Sequence, residues 1–137
     1  MIKATRIIEF DAGHRLLRHE SKCAHIHGHR YKAEIHCEAP ELDAVGRVID
    51  FSVIKELVGS WVDEEWDHAF LVNVKDQVMW RFLDEQRQKH YVMPCEPTAE
   101  NMAAHLLEQA RHLLKDKGVR VVLVRLWETP NCFAEAK

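Results

Sequence analysis

Residues 27–38 (HGHRYKAEIHCE) alternate strictly, with Tyr31, Ala33, Ile35 and Cys37 on one side and Arg30, Lys32, Glu34 and His36 on the other. That period of two predicts a half-buried β-strand. Residues 3–12 (KATRIIEFDA) read as a second strand. Residues 119–127 (VRVVLVRLW) are too β-branched for a helix, and a short final strand runs through 132–136. Between these ends the period changes. Val53, Ile54, Leu57, Val58, Trp61 and Val62 make one helical stripe, with Asp50 or Ser52 as N-cap. Val78, Met79, Phe82 and Leu83 predict a shorter helix over 76–88. Thr98 follows Pro97 and caps an amphipathic helix carrying Met102, Ala103, Leu106, Leu107, Ala110, Leu113 and Leu114, which stops at Lys117-Gly118. The stretch 39–47, with Pro40, Asp43 and Gly46, is a connection. The predicted order is β-β-α-(α)-α-β-β. Hairpin-like strand pairs at both ends imply an α+β domain, a four-stranded antiparallel sheet with its helices on one face.

Composition narrows the class. At 137 residues, against roughly 150 per domain, the chain is a single domain spanning 1–137 without repeats or linkers. It is 47% hydrophobic and 30% charged, which excludes disorder. The net charge of −3 argues against a nucleic-acid or anionic-membrane binder. No apolar run approaches the ~20 residues of a membrane span, and charges interrupt the start MIKATRIIEFDAGH where a signal peptide would be apolar. The expected location is therefore cytoplasmic. The four cysteines (Cys23, Cys37, Cys95, Cys132) form no C-x-x-C pair and are expected as free thiols, three of them packing residues.

The candidate chemistry lies in the histidines. Of ten, five are His14, His19, His25, His27 and His29. His27 and His29 flank Gly28 at the mouth of a strand, where residues i and i+2 share a face. Antiparallel pairing could bring His14 alongside. Three histidines with a fourth position open to water or substrate make the catalytic zinc pattern; a solvated histidine cluster would read the same way. Cys23 could be a fourth ligand, a base beside the metal, or an ordinary buried thiol. Asp67-His68 could be an acid–base pair, although adjacent residues on a helix diverge. Arg15, Arg18, His19 and Lys22 form a basic run that would suit a phosphorylated substrate.

Read together, Phe10–His14 (FDAGH), Cys23–His29 (CAHIHGH), Gly46–Phe51 (GRVIDF), Asp67-His68, Pro97–Asn101 (PTAEN) and Trp127–Thr129 (WET) resemble, in order and over nearly the whole chain, the 6-pyruvoyl-tetrahydropterin synthase family. The C-x-x-x-H-G-H spacing resembles its bacterial branch, the 6-carboxy-tetrahydropterin synthases of queuosine biosynthesis. The resemblance implies the tunnelling fold, in which trimers close a barrel and two trimers stack into a hexamer. It implies Zn2+ held by His14, His27 and His29. It implies Cys23 as proton acceptor, Asp67 and His68 as a relay meeting Cys23 across a subunit boundary, Glu128 as pterin anchor and Thr98 in the ring pocket. The implied substrate is 7,8-dihydroneopterin triphosphate, converted to 6-carboxy-tetrahydropterin or, alternatively, to the 6-pyruvoyl product. A non-catalytic zinc- or pterin-binding oligomer is a third reading. The stretch 74–96 is longer than in bacterial members of that family, with Trp80 and Tyr91 in it.

Overall fold

The computed structural model describes residues 1–137. Strand β1 (Lys3–His14) pairs with β2 (His27–Glu38) in an unbroken antiparallel register, from Lys3 opposite Glu38 to His14 opposite His27. The alternation expected in β2 is realised: Tyr31, Ala33, Ile35 and Cys37 are all fully buried. On β1 the same inward face carries Ile8, Phe10, Ala12 and His14. Phe10 stacks on Tyr31, with ring centroids 5.1 Å apart.

Helices α1 (Phe51–Ile54) and α2 (Ser60–Glu65) flank a π-helical turn, Lys55–Gly59. Asp50 is the N-cap and accepts from Ser52 N. The π turn follows from the sequence stripe. Ile54, Val58, Val62 and Trp66 recur every four residues and are all fully buried. At 3.6 residues per turn such a row drifts about 40° per step, and one wider turn brings it back onto the sheet. Helix α4 (Ala99–Leu113) is capped by Thr98, whose hydroxyl accepts from Asn101 N, and buries Met102, Ala103, Leu106, Leu107 and Ala110 in the same core. No helix is long and apolar enough to cross a membrane.

The sheet departs from the four-stranded antiparallel expectation. It has six strands in the order β4-β3-β1-β2-β5-β6 and is mixed. The added strands are β3 (Ala69–Asn73), parallel to β1, and β4 (His90–Met93), parallel to β3. Strands β5 (Arg120–Thr129) and β6 (Cys132–Ala136) form the expected C-terminal hairpin. The helices are not all on one face either. Leu71 joins the main core, whereas Val72 packs with Met79 and Leu83 of α3 (Gln77–Glu85), so α3 covers the opposite side of β3. A strand buried on both faces reads as an apolar run without alternation, which is why β3 escapes a period-two search. Strand β5 is apolar because it lies inside the sheet, between β2 and β6. Of the four cysteines, all free, Cys37 packs fully and Cys132 is exposed on the edge strand.

Arg15, just past β1, is tied to the far side of the fold. Its Nε and Nη2 each lie 2.6 Å from a carboxylate oxygen of buried Asp76, which also caps α3 through Met79 N. Arg15 is thus a structural clasp and is not free for a phosphate group. The Arg15 guanidinium holds the Asp76 carboxyl below the usual carboxylate range. A carboxyl depressed in the folded state stabilises above its unfolded value, near pH 4, and that contribution is lost as pH falls further. Asp76→Ala should destabilise by about 3 kcal/mol in urea unfolding at neutral pH, by stranding the guanidinium and removing a cap. The gap from wild type should narrow on acidification below pH 4; a gap constant with pH would show that the ion pair contributes nothing.

Candidate metal centre and acid–base pair

The register builds the first cluster. His14 faces His27 directly, and His29 is two residues farther along the same face of β2. Their ligand nitrogens all lie within 4.8 Å of one another, His14 Nε2 and His27 Nε2 at 3.0 Å. Gly28 between them lets the strands approach closely, since a Cβ there would stand 3.0 Å from the Ala12 carbonyl oxygen.

The tautomers are set by backbone. His14 Nδ1 is 2.7 Å from the Pro97 carbonyl, and His27 Nδ1 is 2.7 Å from the His25 carbonyl. A carbonyl only accepts, so both rings donate through Nδ1 and direct Nε2 at each other. Burial pulls His14 down to about pKa 4, with neighbouring His27 and His29 acting the same way. Its Nε2 is then a bare lone pair at neutral pH. Two ring nitrogens 3.0 Å apart are bridged by a shared proton or by a cation lying among them. The donor set, with its outer hydrogen bonds in place, therefore fits a divalent metal held by three histidines.

Glu128 completes this end of the sheet. Its Oε1 lies 3.6 Å from His14 Nε2 and 3.7 Å from His29 Nε2. The β5–β6 register shifts between Trp127 and Thr129, so Glu128 is a bulge residue. A bulge re-aims the side chain, and here it turns an acidic residue toward the histidines at the end of an apolar strand. Nothing in the residue pattern marks that bulge.

Asp67 and His68 form the second cluster. They are not on a helix, which removes the objection that neighbours diverge: α2 has ended, and His68 adopts a left-handed conformation with φ 58°. That turn brings His68 Nδ1 to 2.9 Å from Asp67 Oδ2. Asp67 Oδ1 accepts from Asp11 N at 2.9 Å, and His68 N donates to Asp11 O at 2.7 Å. Partial burial works to raise the Asp67 carboxyl, but the hydrogen bonds from Asp11 N and His68 outweigh it and hold it below the usual carboxylate range. Asp11, Asp67 and His68 lie close enough to hold a metal. These internal bonds, and Arg30 3.1 Å from Asp11 Oδ2, already occupy the carboxylates.

His27, His29 and His68 line one open cleft of about 710 Å3, walled on its far side by Met79, Phe82 and Leu83 of α3. Residues from 74–96 thus shape the cleft that the sequence left without a site. Glu128 and His29 line a neighbouring cleft of about 410 Å3. Cys23, on the 3-10 turn Lys22–Ala24, is half-buried and is not among the residues lining either cleft. Thr98 serves as a helix cap, and its neighbour Pro97 supplies the carbonyl that orients His14. Sequence reasoning missed the Pro97 and His25 carbonyls, because backbone acceptors leave no residue signal.

Each of His14→Ala, His27→Ala and His29→Ala should abolish stoichiometric binding of zinc or cobalt, measured by elemental analysis after dialysis, while Cys23→Ala retains it. Full occupancy in any single histidine variant would remove that residue from the ligand set. Gly28→Ala should lower metal affinity and cost about 1–3 kcal/mol of stability by forcing β1 and β2 apart.

The family model for 6-pyruvoyl tetrahydropterin synthase matches residues 3–137. A 6-carboxy-5,6,7,8-tetrahydropterin synthase of Rickettsia conorii is 45% identical over 137 residues, covering 98% of this chain and 99% of the relative. That alignment leaves no room for 74–96 to be extra material with respect to this relative. The Haemophilus influenzae protein of the same name is 30% identical over 141 residues, covering 98% of each chain. Among solved structures, an uncharacterized protein of Wolinella succinogenes superposes with a TM-score of 0.87 at 25% identity, covering 98% of this chain and 97% of that one. The 6-pyruvoyl tetrahydropterin synthase of Plasmodium vivax superposes with a TM-score of 0.71 at 20% identity, covering 99% and 98%, and speaks to fold alone. With a family model matched over almost every residue and its histidine-bearing strand pair folded in register, the chain belongs to the 6-pyruvoyl tetrahydropterin synthase family.

Proposed function

We propose that this protein is a zinc-dependent lyase. It converts 7,8-dihydroneopterin triphosphate and one water to 6-carboxy-5,6,7,8-tetrahydropterin, acetaldehyde and triphosphate, a step of queuosine (7-deazaguanine) biosynthesis carried out in the cytoplasm. The observation that carries the reading is the convergence of His14, His27 and His29, with Nδ1 of two rings committed to carbonyls, beside the Glu128 carboxylate. The carboxy product is favoured over the pyruvoyl one because the relatives at 45% and 30% identity carry that name over nearly their full length.

Zinc held by His14, His27 and His29 would supply Lewis-acid polarisation of the substrate's side-chain oxygens and so acidify the adjoining C–H. The Cys23 thiolate takes that proton. His68 keeps Nδ1–H on Asp67 and offers Nε2 to the opposite side of the substrate as acid and base, and Asp67 stabilises the imidazolium that forms. Glu128 accepts from the 2-amino group and the adjacent ring N–H of the pterin, a pairing suited to a carboxylate. Thr98, which caps α4, completes the ring pocket.

The working form is a homo-oligomer, a hexamer built of two trimers. Two observations support this. Strands β4 and β6 are open sheet edges, which a closed barrel would pair. Cys23 stands outside the cleft lined by His68 of its own chain, and a Cys23 from a neighbouring subunit would supply the missing thiol.

Mass analysis of the reaction of zinc-loaded protein with 7,8-dihydroneopterin triphosphate should find acetaldehyde and the 6-carboxy product in equal amounts. A 6-pyruvoyl product without acetaldehyde would assign the alternative reaction. Cys23→Ala should lose about 10²–10⁴-fold in turnover. Mixed oligomers of Cys23→Ala and His68→Ala subunits should recover activity, whereas verified mixed oligomers that stay inactive would place the site within one chain. Glu128→Gln replaces an acceptor with a donor facing a donor. It should weaken pterin binding about 5- to 150-fold, read by titration at constant zinc content.

A further inference from the structure

The left-handed His68 raises the question of what holds it there. A non-glycine residue at positive φ is strained and persists only where its surroundings over-determine it. The peptide unit joining Asp67 to His68 is gripped at both ends. Its N–H donates to the Asp11 carbonyl at 2.7 Å, and its C=O accepts from Lys89 Nζ at 2.6 Å. Lys89 Nζ also donates to the Asp63 carbonyl at 2.9 Å. Asp63 is on the last turn of α2, where carbonyls lack helical partners and a cation is favoured. The backbone of Lys89 is fixed as well, because its own carbonyl accepts from Phe70 N at 3.1 Å, where the β3–β4 pairing begins. Lys89 lines the same cleft as His68.

We infer that Lys89 is a positioning residue for the acid–base pair, its ammonium locking the Asp67–His68 peptide so that His68 Nδ1 stays on Asp67 and Nε2 faces the cleft. The inference rests on the role proposed above for Asp67 and His68. It assigns a task to the 74–96 segment: β4, laid parallel to β3, delivers one cation to the end of α2. Without that cation the Asp67 carbonyl loses a charge-assisted partner, and the turn is free to relax toward an ordinary φ, separating the imidazole from the carboxylate. Lys89 is not one of the three clustered histidines and does not line the cleft of Glu128.

The test uses zinc-loaded Lys89→Met, which keeps the aliphatic stem, and Lys89→Arg, which restores the charge and the donors. The expected result for Lys89→Met is kcat lowered about 10- to 100-fold with KM and zinc content within twofold of wild type. Lys89→Arg should recover most of the loss. In parallel, the His68 ring-nitrogen NMR resonances, read through the non-exchanging ring C–H protons and assigned by their disappearance in His68→Gln, should report a single Nδ1–H tautomer in wild type and Lys89→Arg and a mixture of tautomers in Lys89→Met. An unchanged resonance in Lys89→Met overturns the inference whatever the kinetics. A wild-type protein inactive on 7,8-dihydroneopterin triphosphate would sink the proposed reaction, and the resonance would still decide the role of Lys89. Should Lys89→Met not fold, Lys89→Gln, whose amide is too short to reach both carbonyls, gives the same readouts.

Discussion

Strand β1 serves as the ruler for the whole site, because its two edges set two different pieces of chemistry. One edge pairs with β2 in a register that runs without slip over the strand and ends with His14 opposite His27. A one-residue slip would send His27 and His29 to the other face of the sheet, taking the histidine triad apart and the core with it. The other edge begins its parallel ladder with β3 at Ala12 opposite Ala69. Just before that point both backbone groups of Asp11 hold the Asp67–His68 turn, its N–H on the carboxylate and its C=O on the His68 N–H. The metal cluster and the acid–base pair are therefore spaced by a single extended segment, Asp11 to His14, whose length has little freedom.

This arrangement explains which parts of the architecture could be read from residues. β2 was legible because it is half-buried and its alternation is clean. The helical stripe from Val53 was legible, and even its four-residue repeat carried the trace of the π turn later found at Lys55–Gly59. Thr98 was legible as a cap because capping is local chemistry. β3 and β4 were not. AFLVN is covered on both faces and shows no period, HYVM is only 4 residues long, and their pairing is parallel and non-local. Without them, a four-stranded antiparallel sheet with one helical layer was the simplest solution to the remaining pattern.

The site divides along the same line. The H-G-H spacing and His14 at the end of a strand pointed to the clustering of the three histidines, and the proposed roles rest on the family resemblance. What the residues could not show is the backbone that makes them usable: the Pro97 and His25 carbonyls, the bulge that turns Glu128 inward, and the positive φ of His68. The basic run suggested a phosphate site, yet its first member is committed to Asp76, a partner far along the chain. Charge along a sequence marks candidates, and only the tertiary partner decides whether a charge is free.

The two clusters also differ in how their geometry is sustained. In the histidine triad, the ring nitrogens of buried His14 and half-buried His27 and His29 converge because the β1–β2 ladder places them on one face. A cation bound there and the strand register would reinforce each other, since separating the strands would dismantle the triad. In the acid–base pair the strain is in the backbone, at His68, and no cation at the triad relieves it. It is balanced by hydrogen bonds from three separate segments: Asp11 on β1, the carboxylate of Asp67, and Lys89 ahead of β4. The β1–β2 pair alone brings the three histidines together, and Pro97 ahead of α4 then orients His14. The pair needs β1, the end of α2 and the β3–β4 edge all in place, so it draws on more of the fold than the histidine triad, which needs the β1–β2 pair and the Pro97 carbonyl.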